Sequence, residues 1–320
     1  GHLVLNDGCV KDQIRLRFGA TVFDTQGEVN RTALGHEVFG SSTEKRQARA
    51  NLESIVHSRI REGIVERIAE ARTRGDVEAL RIIDSETDLS YFAQTISLIL
   101  PALPADVPLI GFAGSPFTLA AYLAEGGTSK DFTQFRRMFR SDPDTAHLLL
   151  SKLTDVAIDY LSMQVRAGVQ AVQIFDTWIG LLSATDFRQL ALPYLRRIFD
   201  ALEPLGVPRI YFGNGAGHFL TQLADTGADV LSLDWRTDIG AAFKLFSEPT
   251  IPLQGNLDPC ALFGSREQVE SATRSLLEVT QGRPHIFNLG HGVQPDTPYD
   301  NVKALVDTVH AHPSNPRQTE

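Results

Sequence analysis

The chain has 320 residues, enough for one large α/β domain or two ordinary ones, each with a full hydrophobic core. Its composition is 42% hydrophobic and 22% charged, and no apolar run approaches the roughly 18 residues that a membrane-spanning helix needs. The net charge of -9 argues against a nucleic-acid-binding protein, although a local basic pocket for an acidic small molecule is compatible with it. We therefore expect a cytoplasmic protein without a nucleic-acid or membrane partner.

The two cysteines, Cys9 and Cys260, are too few for a disulfide framework and do not form a metal-binding pattern. The first residues also lack the basic start and long apolar core of a secretory signal. Both features are typical of a protein of the reducing cytoplasm.

The N-terminal part of the chain, residues 1–74, predicts helices without a sheet of their own. Residues 12–18 form a short amphipathic segment, and residues 31–39 and 43–70 place apolar side chains at three- and four-residue spacing. The opposite, charged face of the last segment is interpreted as a solvated surface.

From residue 75 onward, strands and helices alternate, which predicts a parallel sheet with right-handed crossovers. The predicted strands are residues 107–112, 171–175, 209–212, 230–233, 252–254 and 285–289. The predicted helices are residues 76–83, 89–100, 116–125, 131–140, 144–167, 183–202, 218–226, 239–246, 266–280 and 299–311. A closed eight-stranded barrel would need two more strands than these six.

The stretch 107–127 is the clearest strand, turn and helix in the chain. Its apolar run predicts a strand buried on both faces, and the helix that follows begins at Pro116 and is closed by Gly126 and Gly127. Tyr122 therefore projects from a helix that starts directly after the carboxyl end of a strand. In parallel α/β folds, ligands bind at that end.

Each predicted strand is followed by a polar or glycine-rich tail, and in a barrel such tails converge on one mouth. Tight turns would explain any single tail equally well, but explain the whole set less well. The tails are Phe112–Ser115, Phe175–Trp178, Phe212–Gly217, Leu233–Arg236, Gln254–Asp258 and Asn288–Gly292.

These tails, in this order, resemble the uroporphyrinogen decarboxylase family from about residue 76 to the end of the chain. The matching runs are residues 111–119, Tyr122 with 125–127, 173–178, 212–217, 233–235, 254–259, and 288–292 followed by Pro295. The resemblance implies an α/β fold of the (β/α)₈ TIM-barrel type, here incomplete with about six barrel strands and preceded by the helical segment. It also implies an enzyme of heme biosynthesis, without cofactor or metal and usually a homodimer, that decarboxylates the four acetate side chains of the tetrapyrrole uroporphyrinogen to give coproporphyrinogen.

By position, Tyr122, Thr177 and His291 match the family's pocket tyrosine, hydroxyl residue and histidine. The resemblance implies that Tyr122 and Thr177 hydrogen-bond substrate carboxylates, and that His291 orients a propionate or assists proton transfer. Tyr122 and His291 are thus the candidate catalytic residues. Each residue also has a purely structural explanation. Tyr122 could lie on a helix surface, His291 could be a core histidine, and Thr177 could be one of the β-branched residues common at strand ends. Asp176 and Asp234 are either acid–base groups or, as we favour, N-caps of the helices that follow.

The first part of the chain departs from this family. The family's Arg-Gln-Ala-Gly-Arg-type run, and a Ser-Asp pair whose Asp sits among the pyrrole N–H groups, have no counterpart here. Their place is taken by runs that include Gly27–Arg31 and Leu52–Ile60, which resemble the middle helical portion of bacterial dephospho-coenzyme A kinase. The phosphate loop of such a kinase, ending in Gly-Lys-Ser or Gly-Lys-Thr, is missing from the sequence, so kinase activity is not expected.

We interpret the chain as a kinase-like segment joined to a decarboxylase-like segment that lacks its first two βα units. A natural fusion, a gene-model error or a rearranged clone would each produce such a chain. Decarboxylase activity is expected to be reduced. The alternatives are an inactive porphyrinogen-binding chain and a zinc- or corrinoid-type methyltransferase of the same superfamily, for which the tails lack the usual thiolate ligands.

Overall fold

The structure, a computed structural model, describes residues 8–38, 44–45, 47–48, 51–52, 77–78, 80–247 and 250–313. The chain divides into two compact units, Gly1–Asp76 and Val77–Glu320. Among the described residues, no helix is both long enough and apolar enough to cross a membrane.

The described part of the first unit is mainly helical, as predicted, with an isolated antiparallel bridge between Phe23 and Val29. Helix α1 spans Gly8–Phe18, a 3-10 turn follows at Ala20–Val22, and helix α2 spans Arg31–Val38. Asn30 caps α2, because its side-chain oxygen accepts a hydrogen bond from the N–H of Ala33 at 3.1 Å. A small core is formed by Val10, Ile14, Val22, Leu34 and Val38. The predicted helix 43–70 lies outside the described residues, apart from three helical pairs at 44–45, 47–48 and 51–52.

The second unit contains a six-stranded sheet in which every neighbouring pair is parallel. The strands are β1 Ile110–Gly114, β2 Ala171–Asp176, β3 Arg209–Gly213, β4 Val230–Leu233, β5 Leu253–Leu257 and β6 His285–Leu289. They lie in chain order from β1 to β6, so β1 and β6 are the edges of the sheet within the described residues. The predicted six parallel strands are therefore confirmed, with β1 displaced toward the carboxyl end and β5 extended to Leu257.

Helices alternate with these strands. They are α3 Ser85–Asp88, α4 Ser90–Ile99, α5 Pro116–Glu125, α6 Thr133–Ser141, α7 Pro143–Arg166, α8 Ala184–Leu190, α9 Leu192–Leu202, α10 Leu220–Leu223, α11 Ile239–Leu245, α12 Arg266–Thr280 and α13 Tyr299–Ala311. The α/β fold class and the alternation of elements agree with the sequence analysis.

The expectation that the first strand is buried on both faces is wrong. Gly111 and Ala113 are buried on the face toward the helices, whereas Ile110 is 45% and Phe112 is 58% exposed on the other face. In a closed barrel the inward face of a strand packs against strands across the axis. Six strands leave the inward face of β1 without that cover among the described residues.

Three predicted helices differ from the structure. The predicted helix 76–83 is wrong where the structure describes it, because residues 77–78 and 80–84 are not helical. The first helix here is α3, which begins after that range at Ser85, where the Asp84 carboxylate caps it by accepting from the N–H groups of Glu86 and Thr87. The segment 183–202 is two helices that meet at Ala191, since Pro193 has no N–H to donate and is favoured only in a first helical turn.

The third exception is the segment 218–226. It contains the single α-helical turn α10 between two 3-10 turns at Ala216–Phe219 and Ala224–Thr226. Gly215 precedes this segment with a φ of 73° and Gly227 ends it with a φ of 86°, so left-handed residues limit the helix on both sides.

Candidate functional site at the carboxyl ends of the strands

Helix α5 brings Tyr122 to the carboxyl end of the sheet. Ser115 caps the helix by accepting from the N–H of Thr118 at 3.0 Å, Pro116 takes the first turn, and Gly126 ends it with a φ of 75°. These caps confirm the predicted limits of the helix. Tyr122 is half-buried, and its ring lies 6.1 Å from the ring of Trp178.

Trp178 joins the tail of β2 to this helix. Its backbone N–H donates to the hydroxyl of Thr118 at 3.3 Å, and its ring centroid lies 4.6 Å from that of Phe132. The indole Nε1 is buried and has no hydrogen-bond acceptor within the described part of the chain. Because Trp178 follows Thr177 directly, Tyr122 lies beside the tail that carries Thr177.

Asp176, at the end of β2, is fully buried behind the site. Its carboxylate accepts from the Thr118 hydroxyl at 2.8 Å and from the Tyr211 hydroxyl at 2.9 Å. Burial raises the pKa of Asp176 to about 6, against the opposing effect of hydrogen bonds from Ser115, Thr118 and Tyr211. Asp176 thus connects α5, β2 and β3. The prediction that it is an N-cap is wrong, because no helix begins on its carboxylate.

Thr177 is half-buried in the tail of β2, and Asn214 ties this tail to its neighbours. The Asn214 Nδ2 donates to the Thr177 carbonyl at 3.0 Å, and its Oδ1 accepts from Nη1 of Arg236 at 3.1 Å. One amide side chain therefore connects the tails of β2, β3 and β4.

His291 reaches the same group of tails from the end of β6. It is exposed, and its ring centroid lies 6.1 Å from that of Phe212 and 6.1 Å from that of Trp235. On Trp235 also lies the guanidinium of Arg236, with Cζ 3.9 Å from the centre of the indole. Gly290 permits the β6 tail to come this close to Trp235, because a Cβ at this position would lie 2.3 Å from the backbone nitrogen of Trp235.

Asp234 holds the tail of β4 in place through hydrogen bonds to the neighbouring tails. It is buried, and its two oxygens accept from the backbone N–H groups of Gly215 at 2.5 Å and Arg236 at 2.8 Å. Its carbonyl accepts from Asn256 of β5 at 2.8 Å. The favoured interpretation of Asp234 as an N-cap is wrong, since the cap of α11 is Asp238.

All six tails are therefore connected, but the three predicted residues do not all touch. Tyr122 contacts the tail of Thr177 through Trp178, and His291 connects to it through Trp235, Arg236 and Asn214. Within the described residues, no hydrogen bond or ring contact joins the side chains of Tyr122, Thr177 and His291. Their roles stay predictions.

Sequence reasoning missed three residues of this network, namely Asn214, Trp235 and Arg236. Each stands in a tail that the sequence analysis singled out, and their polar or aromatic character at a strand end was the available signal. The pairing of Asn214 with Arg236 was not accessible, because it joins two different strand tails.

No group of three or more His, Cys, Asp or Glu side chains in the described ranges is arranged to hold a metal ion. Cys260, the single cysteine of the second unit, is exposed.

Two family models match the chain. The model for uroporphyrinogen decarboxylase (URO-D) matches residues 59–312, and the model for dephospho-CoA kinase matches residues 2–84. Both resemblances noted in the sequence are thus confirmed. The two matches overlap, so the division into a kinase-like domain 1–74 and a decarboxylase-like domain 75–320 stays a prediction.

Curated relatives are nearly half identical to the chain over the residues that align. The uroporphyrinogen decarboxylase of Syntrophotalea carbinolica is 45% identical over 240 residues, which is 75% of this chain and 70% of that protein. The protein of the same name from Trichlorobacter lovleyi is 44% identical over 240 residues, with the same two shares. That of Serratia proteamaculans is 43% identical over 244 residues, covering 75% of this chain and 69% of its own length.

Two solved structures have a similar fold. A methyltransferase from Methanosarcina mazei superposes with a TM-score of 0.63 at 23% identity, over 73% of this chain and 68% of its own. A B12-independent methionine synthase from Shewanella sp. W3-18-1 superposes with a TM-score of 0.50 at 11% identity, over 68% of this chain and 64% of its own. At these identities the likeness concerns the fold alone.

Proposed function

The chain belongs to the uroporphyrinogen decarboxylase family, and from this premise we propose that it binds uroporphyrinogen III at the connected strand tails and decarboxylates it. The four acetate side chains become methyl groups, and the product is coproporphyrinogen III. The family match over residues 59–312, which includes every strand of the sheet, is the observation that carries the proposal. A cytoplasmic location and a homodimer are further expectations taken from the family.

The chemistry sets what the site must supply. A pyrrole carbon is protonated, and the bond between the acetate methylene and its carboxylate breaks as its electrons move into the cationic ring. CO₂ leaves, the methylene carbon takes a proton to become a methyl group, and the ring proton is released. The site therefore needs proton donors, a carboxylate that stabilises the cation, and donors that hold the substrate's eight carboxylates.

Three side chains, Tyr122 of α5 and Thr177 and His291 of the strand tails, supply suitable groups. Tyr122 and Thr177 donate hydroxyl hydrogen bonds to substrate carboxylates, and His291 orients a propionate or transfers a proton. The buried Nε1 of Trp178, beside the ring of Tyr122, is a further donor that has no acceptor within the described residues. A substrate oxygen or a water molecule would satisfy it.

The proposed activity is lower than that of the curated relatives. Within these 320 residues the family's N-terminal arginine run and its pyrrole-binding aspartate have no counterpart. Loss of one preorganised charged group costs roughly 2–4 kcal/mol of transition-state stabilisation, or about 30- to 1000-fold in rate. A chain that binds the tetrapyrrole without turning it over is the limiting case.

The test is an anaerobic assay with uroporphyrinogen III, with products separated after oxidation, beside the Syntrophotalea carbinolica relative. We expect saturable binding and slow formation of coproporphyrinogen, with both reduced in Tyr122→Phe and His291→Ala. Turnover equal to that of the relative would contradict the proposed impairment. Failure of the folded chain to bind the tetrapyrrole would contradict the proposed function, and stoichiometric zinc in the purified chain would favour the methyltransferase alternative.

A further inference from the structure

Arg236 stands at the centre of the connected tails in a fixed position. Its guanidinium lies on the ring of Trp235, with Cζ 3.9 Å from the centre of the indole, and Nη1 donates to Oδ1 of Asn214 at 3.1 Å. Stacking on an aromatic ring and an amide hydrogen bond together hold the planar group, although the side chain is 52% exposed. The side chain is therefore a held cation and not a freely moving surface arginine.

The charge of Arg236 is only partly neutralised. The carboxylate of Asp234 comes within 3.4 Å of Nη1, but both of its oxygens already accept backbone N–H groups, from Gly215 and from Arg236 itself. A guanidinium carries five N–H donors. Within the described part of the chain, Nε and Nη2 of Arg236 have no acceptor. These two nitrogens form one side of the planar fork that matches a carboxylate.

The position of Arg236 relates it to two predicted substrate contacts. Through Asn214 it connects to the carbonyl of Thr177, and through the ring of Trp235 it adjoins the imidazole of His291. A carboxylate on Arg236 would therefore belong to a ligand that also meets these two tails.

We propose that Arg236 forms a carboxylate-binding subsite, in which Nε and Nη2 hold one carboxylate of the tetrapyrrole while Trp235 and Asn214 fix the guanidinium. The inference rests on the proposed function, because it takes the eight-carboxylate substrate as the ligand. It adds a cationic anchor from the tail of β4 to a site that lacks the family's N-terminal arginines. Its contribution is to binding, with no role in the proton transfers.

The experiment titrates the complete chain with uroporphyrin III, the stable oxidised form, and follows porphyrin fluorescence. Arg236→Gln keeps a donor for Asn214 but removes the charge and both nitrogens of the fork, and should raise Kd about tenfold or more, as expected for the loss of charge-assisted hydrogen bonds. Arg236→Lys keeps the charge but lacks the planar fork, so its Kd should lie between those of the original chain and Arg236→Gln. The matched control is Arg274→Gln, whose side chain is also 52% exposed but lies on α12 beside Glu270, and it should bind as the original chain does.

Salt and a second porphyrin sharpen the result. The difference between the original chain and Arg236→Gln should shrink as added salt screens the ion pair. Titration with coproporphyrin III identifies which carboxylate Arg236 binds. If Arg236→Gln loses the same affinity for both porphyrins, the carboxylate is a propionate. If it loses affinity for uroporphyrin alone, the carboxylate is an acetate. Unchanged uroporphyrin binding by Arg236→Gln overturns the subsite alone. A folded original chain that binds no uroporphyrin overturns the proposed function, and the subsite with it.

Discussion

Gln164, near the end of α7, hydrogen-bonds both backbone groups of Phe112 on β1. Its Oε1 accepts from the Phe112 N–H at 3.0 Å, and its Nε2 donates to the Phe112 carbonyl at 3.1 Å. Leu109 and Ser115 direct their backbone groups toward β2, through the pairs Gln170 N–H to Leu109 carbonyl and Ser115 N–H to Phe175 carbonyl. Phe112, at an alternate position, therefore faces the outer edge of the sheet.

This amide takes the place that a neighbouring strand would have. An unpaired edge offers N–H and C=O groups to other chains, and proteins commonly cover such edges. Gln164 is only 4% exposed, so its amide is held in place and satisfies one position of the β1 edge. The capping is a property of the second unit alone, since both residues lie within Val77–Glu320.

Gln164→Ala should lower the free energy of unfolding and increase self-association. The substitution leaves the Phe112 N–H and carbonyl without partners, which costs about 1–3 kcal/mol. Urea unfolding measures the first effect and light scattering the second. Gln281→Ala, at an exposed position after α12, is the control and should change neither. Equal behaviour of the two variants would show that the amide does not protect the edge.

Gly111→Ala should act through the same amide. A Cβ on Gly111 would lie 2.7 Å from Oε1 of Gln164 and 3.0 Å from Cγ2 of Val169, so the cap would have to move. We expect a loss of about 1–3 kcal/mol of stability from this crowding. In a double-mutant cycle, Gly111→Ala should cost less when Gln164 is already alanine. Additive losses would mean that Val169, and not the amide, meets the new methyl group.

The sequence predicts the elements of the sheet because their signals are local. An apolar run such as Ile110–Gly114 and a cap such as Ser115 with Pro116 act within a few residues, and the structure has them nearly where the pattern indicates. The break at Ala191 was missed because a helical apolar pattern continues on both sides of it. The strand-end location of the candidate site followed from parallel-sheet geometry, whereas its individual contacts did not.

Contacts between distant parts of the chain explain what was missed. Gln164 and Phe112 are 52 residues apart, and Arg236 and Asn214 are 22 apart, so no spacing rule relates them. The exposed inward face of β1 depends on the number of strands opposite it, which an apolar run cannot encode. Asp176 suited an N-cap by residue type, but the hydroxyls of Thr118 and Tyr211 claim its carboxylate.

Asp176→Asn should flatten the pH dependence of stability between about pH 4 and pH 7. Burial raises the pKa of Asp176 from 3.8 to about 6, so the folded state holds this proton more tightly than the unfolded state. The stability that the protonated Asp176 carboxyl contributes to the folded state is fully present below pH 3.8 and is lost as the pH rises through about 6. At about 1.4 kcal/mol for each unit of pKa, the loss amounts to about 3 kcal/mol at most.

Unfolding free energies at pH 4, 5, 6 and 7 measure this effect as the difference between the original chain and Asp176→Asn. The free energy of unfolding of Asp176→Asn should rise relative to that of the original chain as the pH rises. Asp296→Asn, an exposed substitution that removes the same charge, should leave the original pH profile in place. Parallel profiles for the original chain and Asp176→Asn would show that this carboxyl titrates alike in the folded and unfolded states.

Gly290→Ala should disturb the connected strand tails, whereas Gly292→Ala should not. A Cβ at Gly290 would lie 2.3 Å from the backbone nitrogen and 2.8 Å from the Cα of Trp235, whereas a Cβ at Gly292 would have no atom within 4 Å. Neither glycine has a positive φ, so the two substitutions differ in space and not in backbone conformation. The β6 tail must move away from Trp235, which carries Arg236 on its ring and adjoins His291.

The readout is the emission of Trp235 in a Trp178→Phe background, which removes the other of the two tryptophans. Gly290→Ala should shift the emission maximum, lower stability by about 1–3 kcal/mol through overpacking, and weaken uroporphyrin binding by at least as much as Arg236→Gln. Gly292→Ala should match its parent in all three measurements. If Gly290→Ala changes stability but neither emission nor binding, the β6 tail moves without Trp235, and the binding site does not depend on the contact between the β6 tail and Trp235.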